Sequence, residues 1–341
     1  MTQTDERRGT GAQPRRGDSV RVRSRDEILA TLDADGAVNG LPFMPEMLEF
    51  AGKELRVWAR ADKTCDTIES SGNRRMVNTV HLAGARCDGS AHGGCQAQCL
   101  LFWREEWLEW PDAAGKPISS PVNGAGSPLP QTSLMAATRA PDGDSFRCQA
   151  TEHLRASVPI PRHDYGQYLA DVRSRNITPG VAIRGLLLFA FNKYQDLSKR
   201  AFPRWLRIRG GHRAPFVVPT GTGERLPPAE FLPGDLVEVK PKEEILATLG
   251  PDLRNRNLLF DAEMLPYCGR RARVLSKVSR ILDERTGKMI KLSDCYLLED
   301  VICLGLYHRF CQRAITPYWR SGWLRRVDES AVATSPRSAS R

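Results

Sequence analysis

The sequence predicts an α+β chain: two copies of a small, mostly-β unit with short helices, separated by a helical insert. Three observations carry this expectation. The spacing C-x4-H-x2-C occurs twice, as Cys87, His92, Cys95 and as Cys303, His308, Cys311. Each occurrence is followed by aromatic residues, Phe102-Trp103 and Trp107 in the first and Tyr318-Trp319 and Trp323 in the second, and every one of these positions is displaced by 216 residues. The match also extends far upstream, and the text between the two copies has a different, helix-like pattern.

The upstream pairs hold a displacement of 217. Gly17-Asp18-Ser19-Val20-Arg21-Val22 aligns with Gly234-Asp235-Leu236-Val237-Glu238-Val239, and Glu27-Ile28-Leu29-Ala30-Thr31-Leu32 recurs unchanged as Glu244–Leu249. Glu46-Met47-Leu48 recurs as Glu263-Met264-Leu265, Gly52 pairs with Gly269, and Arg56-Val57 pairs with Arg273-Val274. A register kept over so long a stretch marks duplication at domain scale, not a short solenoid repeat. The two units are 17–110 and 234–327.

Within the unit, G-D-x-V-x-V alternates apolar and polar residues after a turn, as a strand does. Ser24 with Glu27 forms a capping-box pattern for a helix through Leu32, and Pro241 takes the place of Ser24 in the second copy, where it suits a helix start. Gly52–Arg60, Gly269–Ser279, Met76–Leu82 and Met289–Leu298 read as strands. The G-D-x-V-x-V opening resembles the first strand of small SH3-like barrels, and over those six residues the resemblance implies a barrel-type unit.

Pro111–Ser145 is rich in Pro, Gly and Ser, so 111–145 reads as a linker. The segment 146–233 holds the helical insert and its return loop. Asp164–Val172 reads as helix, and Thr178-Pro179 opens a second helix to about Lys199, with Val181, Leu187, Leu188, Phe191 and Tyr194 as its apolar bulk. The ends, 1–16 and 328–341, read as disordered basic tails carrying Arg7, Arg8, Arg15, Arg16, Arg337 and Arg341.

The chain has 341 residues, enough for about two domains, with 41% hydrophobic and 26% charged residues, ordinary for a globular protein. No run approaches the roughly 18 apolar residues of a membrane helix, and Met1–Arg16 lacks the apolar core of a secretory signal, so no membrane partner and a cytoplasmic location are expected. In that reducing compartment nine cysteines with nearby histidines point to metal, not to disulfides.

The first copy holds the richer set of donors: Cys65, Cys87, His92, Cys95 and Cys99. Gly89, Gly93 and Gly94 allow tight turns there, and a helix starting near Gly94 would put Cys95 and Cys99 on one face and favour thiolate. Cys148, from the insert, can fold back as a further ligand. Four thiolates with irregular spacing suit an iron–sulfur cluster. Zinc is the alternative, although its usual C-x2-C knuckle is missing. Buried thiols without metal are the third reading. His92 is either a ligand or a hydrogen-bonding support for one.

In the second copy Ile281 and Ile315 stand where Cys65 and Cys99 stood. Either Cys303, His308 and Cys311 form a second, zinc-like site with Cys268 or Cys295, or this copy has become apolar core with cysteines as small hydrophobes. The paired tryptophans read as core packing more readily than as base-stacking platforms.

The net charge of +10 admits an acidic partner. Arg74, Arg75, Arg204, Arg207, Arg209, Arg213, Arg270, Arg271, Arg325 and Arg326 form either an Arg-rich surface for nucleic acid or an ordinary solvated one. No P-loop, dinucleotide fingerprint, H-E-x-x-H or nucleophile elbow occurs, and Cys148 is only a weak nucleophile candidate beside Glu152 and His153. The expectation is therefore a metalloprotein of electron transfer or an auxiliary biosynthetic step, with a protein redox partner, or a zinc-stabilised nucleic-acid-binding module, or a metal-free interaction scaffold.

Overall fold

The structure, a computed structural model, describes residues 13–111, 117–119, 129–161 and 163–328. The expectations for 1–12, for 112–116 and 120–128 of the linker and for 329–341 lie outside the described residues. Helix and strand each make up 26% of the chain, which fits a mixed α+β class with a half-barrel sheet. The chain divides into two compact units. One comprises Met1–Ala182, Arg280–Ile290 and Leu304–Ile315, and the other Ile183–Ser279, Lys291–Cys303 and Thr316–Arg341.

In the first unit the main sheet contains β1 (Ser19–Val22), β2 (Glu54–Arg60), β3 (Thr79–Arg86), β4 (Leu100–Arg104), β5 (Leu108–Pro111) and β6 (Pro117–Ser119), in the order β6-β5-β1-β2-β3-β4. β1 alternates exposed and buried residues, and Val20 and Val22 point into the core. It pairs antiparallel with β2, Ser19 opposite Arg56, and with β5, Arg21 opposite Glu109. The capping box forms as the sequence predicts: Ser24 accepts from the Glu27 amide and Glu27 reaches back to the Ser24 amide at 2.9 Å. Ile28 of that helix is buried among Val20, Val22, Met47, Trp103 and Trp107.

A second sheet has β7 (Leu236–Val239), β8 (Arg271–Leu282), β9 (Met289–Leu298), β10 (Trp319–Arg320) and β11 (Leu324–Arg326), in the order β10-β9-β8-β7-β11, and all of it belongs to the second unit except residues 280–282 of β8 and 289–290 of β9, which belong to the first. Leu236 pairs with Arg273 and Glu238 with Arg325, the positions that align with Ser19, Arg56, Arg21 and Glu109. Side chains follow the same alignment. Trp107 Nε1 donates to Thr31 Oγ1 at 3.1 Å, and Trp323 Nε1 donates to Thr248 Oγ1 at 2.9 Å. Phe43 meets Trp107 edge-on at 5.0 Å, and Phe260 meets Trp323 edge-on at 5.6 Å. All four paired tryptophans are fully buried. They sit on strand ends and single 3-10 turns and not, as their spacing suggests, on one helix.

The linker reading needs one correction. Gln131–Ala137 is a helix, and its Leu134 is buried in the first core, so this part of 111–145 is not without regular structure. Pro179–Ala201 is helical, with Thr178 Oγ1 accepting from the Val181 amide at 3.3 Å. Arg16 is tied down in the first unit. Its amide donates to Ser174 O, its guanidinium donates to Asn176 O at 2.9 Å, and it stacks on Trp58.

A buried ion pair anchors this unit. Lys63 Nζ lies 2.5 Å from Asp171, with both side chains 1% exposed, and it also faces the rings of Tyr168 and Phe310. Burial works against both charges, lifting the Asp171 carboxyl to about 6 and lowering the Lys63 ammonium. Lys63→Met alone should therefore cost about 3–5 kcal/mol in denaturant unfolding, because it strands the carboxylate. The double change Lys63→Met, Asp171→Leu should recover most of that loss. Equal losses in the single and double variants would sink this account.

Candidate metal centre

Cys87 directly follows β3, and the chain then turns back on itself through Gly89. Gly89 has φ +73°, and an added Cβ there would lie 2.0 Å from Cys95 O. Its carbonyl accepts from the His92 and Gly94 amides at 3.1 and 2.9 Å, which brings His92 back over Cys87. Gly93, Gly94 and Gln98 also take positive φ, so no helix starts at Gly94 and Cys95 and Cys99 do not share a helical face. The second motif has the same backbone: Gly305, Arg309, Phe310 and Ala314 take positive φ at the aligned positions, and Gly305 O accepts from the His308 and Phe310 amides. Two non-glycine residues in a left-handed conformation cost of order 1–3 kcal/mol each. The loop form thus outlasts the loss of its glycines.

The first unit holds both motif loops, and each docks on a strand end in the same way. Cys95 Sγ accepts from the Leu282 amide at 3.3 Å, and the Gln96 amide donates to Arg280 O. Cys311 Sγ accepts from the Cys65 amide at 3.0 Å, and the Gln312 amide donates to Lys63 O. Leu282 and Arg280 are 217 residues beyond Cys65 and Lys63, so the exchange is reciprocal, and the counterpart of Cys65 is Leu282 and not the Ile281 expected from the displacement of 216.

Three donors of different kinds converge on the first loop. Cys87 Sγ donates to Glu46 Oε1 at 3.3 Å and lies 3.5 Å from His92 Nε2, and His92 Nδ1 lies 3.6 Å from Glu46 Oε1. One donor atom from each lies within 4.8 Å of the other two. Glu46 arrives on the 3-10 turn Pro45–Phe50, whose Met47 and Leu48 are core residues. Glu46 Oε2 and His92 Nδ1 are buried without a hydrogen-bond partner. Burial pushes the Glu46 carboxyl up and the His92 imidazole down, and it drives the Cys87 thiol far above its usual range. Burial thus disfavours the charged form of each of the three groups. The thiolate-favouring helix start expected for Cys95 and Cys99 is absent, and burial raises the Cys99 thiol instead of lowering it.

The other thiols of this unit lie around the triad. Cys95 and Cys148 are buried in the same core as Cys87, with Cys99 at its margin. Burial pushes Cys99 and Cys148 up to about 12, and the charges of Cys99 and Cys148 add to the rise at Cys87. Cys65 belongs to a separate group. Its thiol is hydrogen-bonded to Cys311 and His308, beside a cavity of about 300 Å³ lined by Asp66, Asn73, Tyr307 and Arg309. The buried Arg313 guanidinium donates to Cys65 O, Thr67 Oγ1 and Glu284. In the second unit Cys268 Sγ points to Met264 O, whereas Cys295 Sγ donates to Ser293 O and accepts from Arg320. Cys303 belongs to that unit too.

Glu46 is the site residue that motif reasoning missed; its one mark in the sequence is the repeated Glu-Met-Leu. Several arginines of the expected Arg-rich surface have partners within the chain. Arg74 donates to Leu154 O and Ser157 O, Arg213 pairs with Asp196, and Arg325 and Arg326 pair with Glu238, Glu244 and Asp235.

Two further buried histidines give a pH signature. His81 Nδ1 donates to Leu101 O at 2.9 Å, and His153 Nε2 pairs with Thr64 Oγ1 at 2.8 Å. Burial lowers His81 to about 4 and His153 to about 3. The unfolded chain binds a proton at each below about 6.5 and the folded chain does not, so stability falls as pH drops from 6.5 toward 4. For His81 alone the loss should reach roughly 2–4 kcal/mol, and His81→Gln should flatten the stability–pH curve in that window. An unchanged slope would refute the assignment.

No protein-family model matches the chain, and comparison with curated proteins and with solved structures finds no significant match.

Proposed function

We propose that the chain is a metal-binding protein whose centre is built by Glu46, Cys87 and His92 and takes a zinc-class divalent ion in a structural role. The separations among these donors support the reading. Two ligands bound at about 2.0–2.3 Å with a tetrahedral angle lie roughly 3.3–3.6 Å apart; Cys87 Sγ and Glu46 Oε1 are 3.3 Å apart, and one donor atom from each of the three side chains lies within 4.8 Å of the other two. An oxygen, a nitrogen and a sulfur donor together suit zinc. The buried, partnerless Glu46 Oε2 and His92 Nδ1 are the atoms such an ion and its surroundings would compensate. Cys99 or Cys148 is the neighbour suited to close the fourth position. A closed site ties the Pro45–Phe50 turn to the motif loop and leaves no place for substrate water.

A second reading rests on the gathering of Cys87, Cys95, Cys99 and Cys148: four thiolates would hold an iron–sulfur cluster, and the chain would pass electrons to a protein redox partner. In either reading the two G-D-x-V-x-V units act as SH3-like frames that present the loops. Metal and sulfide analysis of anaerobically purified protein separates the readings. One zinc per chain without acid-labile sulfide is expected. Stoichiometric iron and sulfide would replace the first reading with the second, and a metal-free protein from metal-replete cells would end both.

A further inference from the structure

In the second unit, the helix that runs to Ala201 is held by its polar side. Gln195 Nε2 donates to Ile208 O and His212 O at 2.9 Å, Asn192 exchanges two hydrogen bonds with Ala214, and Ser198 is buried. Its apolar side faces outward. Ile183, Leu186, Leu187, Ala190, Tyr194 and Leu197 lie within about 100° of arc at 3.6 residues per turn. All six are exposed, Leu187 and Leu197 by 67% and 63%. Arg184 borders this stripe on one flank, and Lys193 and Arg200 border it on the other. The 3-10 turns that follow add Leu206, Ile208 and Trp205, the last 81% exposed. Residues 183–213 contain eight Lys or Arg and a single acidic residue, Asp196, which is paired with Arg213.

We propose that this face docks on the surface of an anionic phospholipid bilayer, with the helix lying in the interfacial plane. An outward apolar stripe flanked by cations is the pattern of a helix that buries its apolar side at the acyl boundary and keeps its charges at the headgroups. An exposed tryptophan beside it suits the same depth. Nucleic acid would satisfy the cations but leave the apolar stripe in water. A second copy of the chain would cover the stripe but bring two eightfold cationic clusters together. No helix among the described residues is long and apolar enough to cross a membrane, so the contact is peripheral.

Full-length protein should co-sediment with vesicles of equimolar phosphatidylcholine and phosphatidylglycerol and not with phosphatidylcholine alone, and added salt should release it. Leu187→Glu with Leu197→Glu should weaken vesicle partition roughly tenfold or more. Both positions are exposed, so circular dichroism should show the fold retained. Lys193→Gln with Arg204→Gln should weaken partition to the anionic vesicles. Trp205 emission should shift to the blue on binding, and Trp205→Phe should remove that shift. The proposal is overturned if no vesicle sediments the protein, or if partition survives the Leu→Glu changes. It is equally overturned by self-association through this face without vesicle binding, or by RNA binding that the Leu→Glu changes leave intact.

Discussion

Gly89→Ala should unfold the first unit or leave it severely destabilised, by more than about 4 kcal/mol, a large part of the roughly 5–15 kcal/mol that holds a domain. The added Cβ would sit 2.0 Å from Cys95 O, 2.6 Å from Cys95 N and 2.8 Å from Cys95 C, all backbone atoms that cannot rotate away. The residue is also at φ +73°, where a side chain is strained regardless of space. Gly305 repeats the situation, with a Cβ 2.2 Å from Cys311 O. Gly94 is the internal control. Its Cβ would meet Arg280 Nη2 at 2.9 Å, the mobile end of a long side chain, and the aligned position already carries Phe310 in the same conformation. Gly94→Ala should therefore cost about 1 kcal/mol. Urea melts of the two variants test the contrast, and similar losses would show that the 2.0 Å approach does not govern this loop.

That contrast marks how far the sequence could be read. Gly89 and Gly305 share a motif position, and the one-dimensional pattern already sets them apart from Gly93 and Gly94, which the second copy replaces by Arg309 and Phe310. The strands, the capping box at Ser24 and the helix after Thr178 follow from local chemistry, so they are legible. The helix expected at Gly94 is absent because paired glycines and a four-residue Cys spacing describe a helix start and a chain of left-handed turns equally well. The reciprocal docking of the loops is carried by Cys65 N, Lys63 O, Leu282 N and Arg280 O. Backbone atoms leave no mark in residue identity, so nothing in the sequence brings Cys311 to Cys65. Glu46 was hidden for a different reason: a carboxylate on a repeated Glu-Met-Leu turn looks like a solvated residue until the fold buries it. The insert's helix hides the converse, since its apolar residues suggest core until Gln195 and Asn192 are seen to hold it.

Removing metal should lower the melting temperature of the wild-type protein by about 10 °C. A centre saturated at about a thousandfold over its dissociation constant contributes roughly 4 kcal/mol, and 1 kcal/mol moves a unit of this size by about 2–4 °C. Cys87→Ser should melt near the chelated wild type and gain nothing from added zinc. Glu46→Gln separates the metal centre from a merely buried polar cluster. Burial raises the Glu46 carboxyl, so in a metal-free protein its charged form is disfavoured and an isosteric amide replaces it at little cost, or with a gain. In a metal-bound protein the same change removes an anionic ligand, and the melting temperature should fall nearly as far as in Cys87→Ser. Thermal melts of wild type, Glu46→Gln and Cys87→Ser with zinc and with chelator decide the matter. A Glu46→Gln protein at least as stable as wild type, together with a wild type indifferent to chelator, would mean that Glu46, Cys87 and His92 are held together by hydrogen bonds alone.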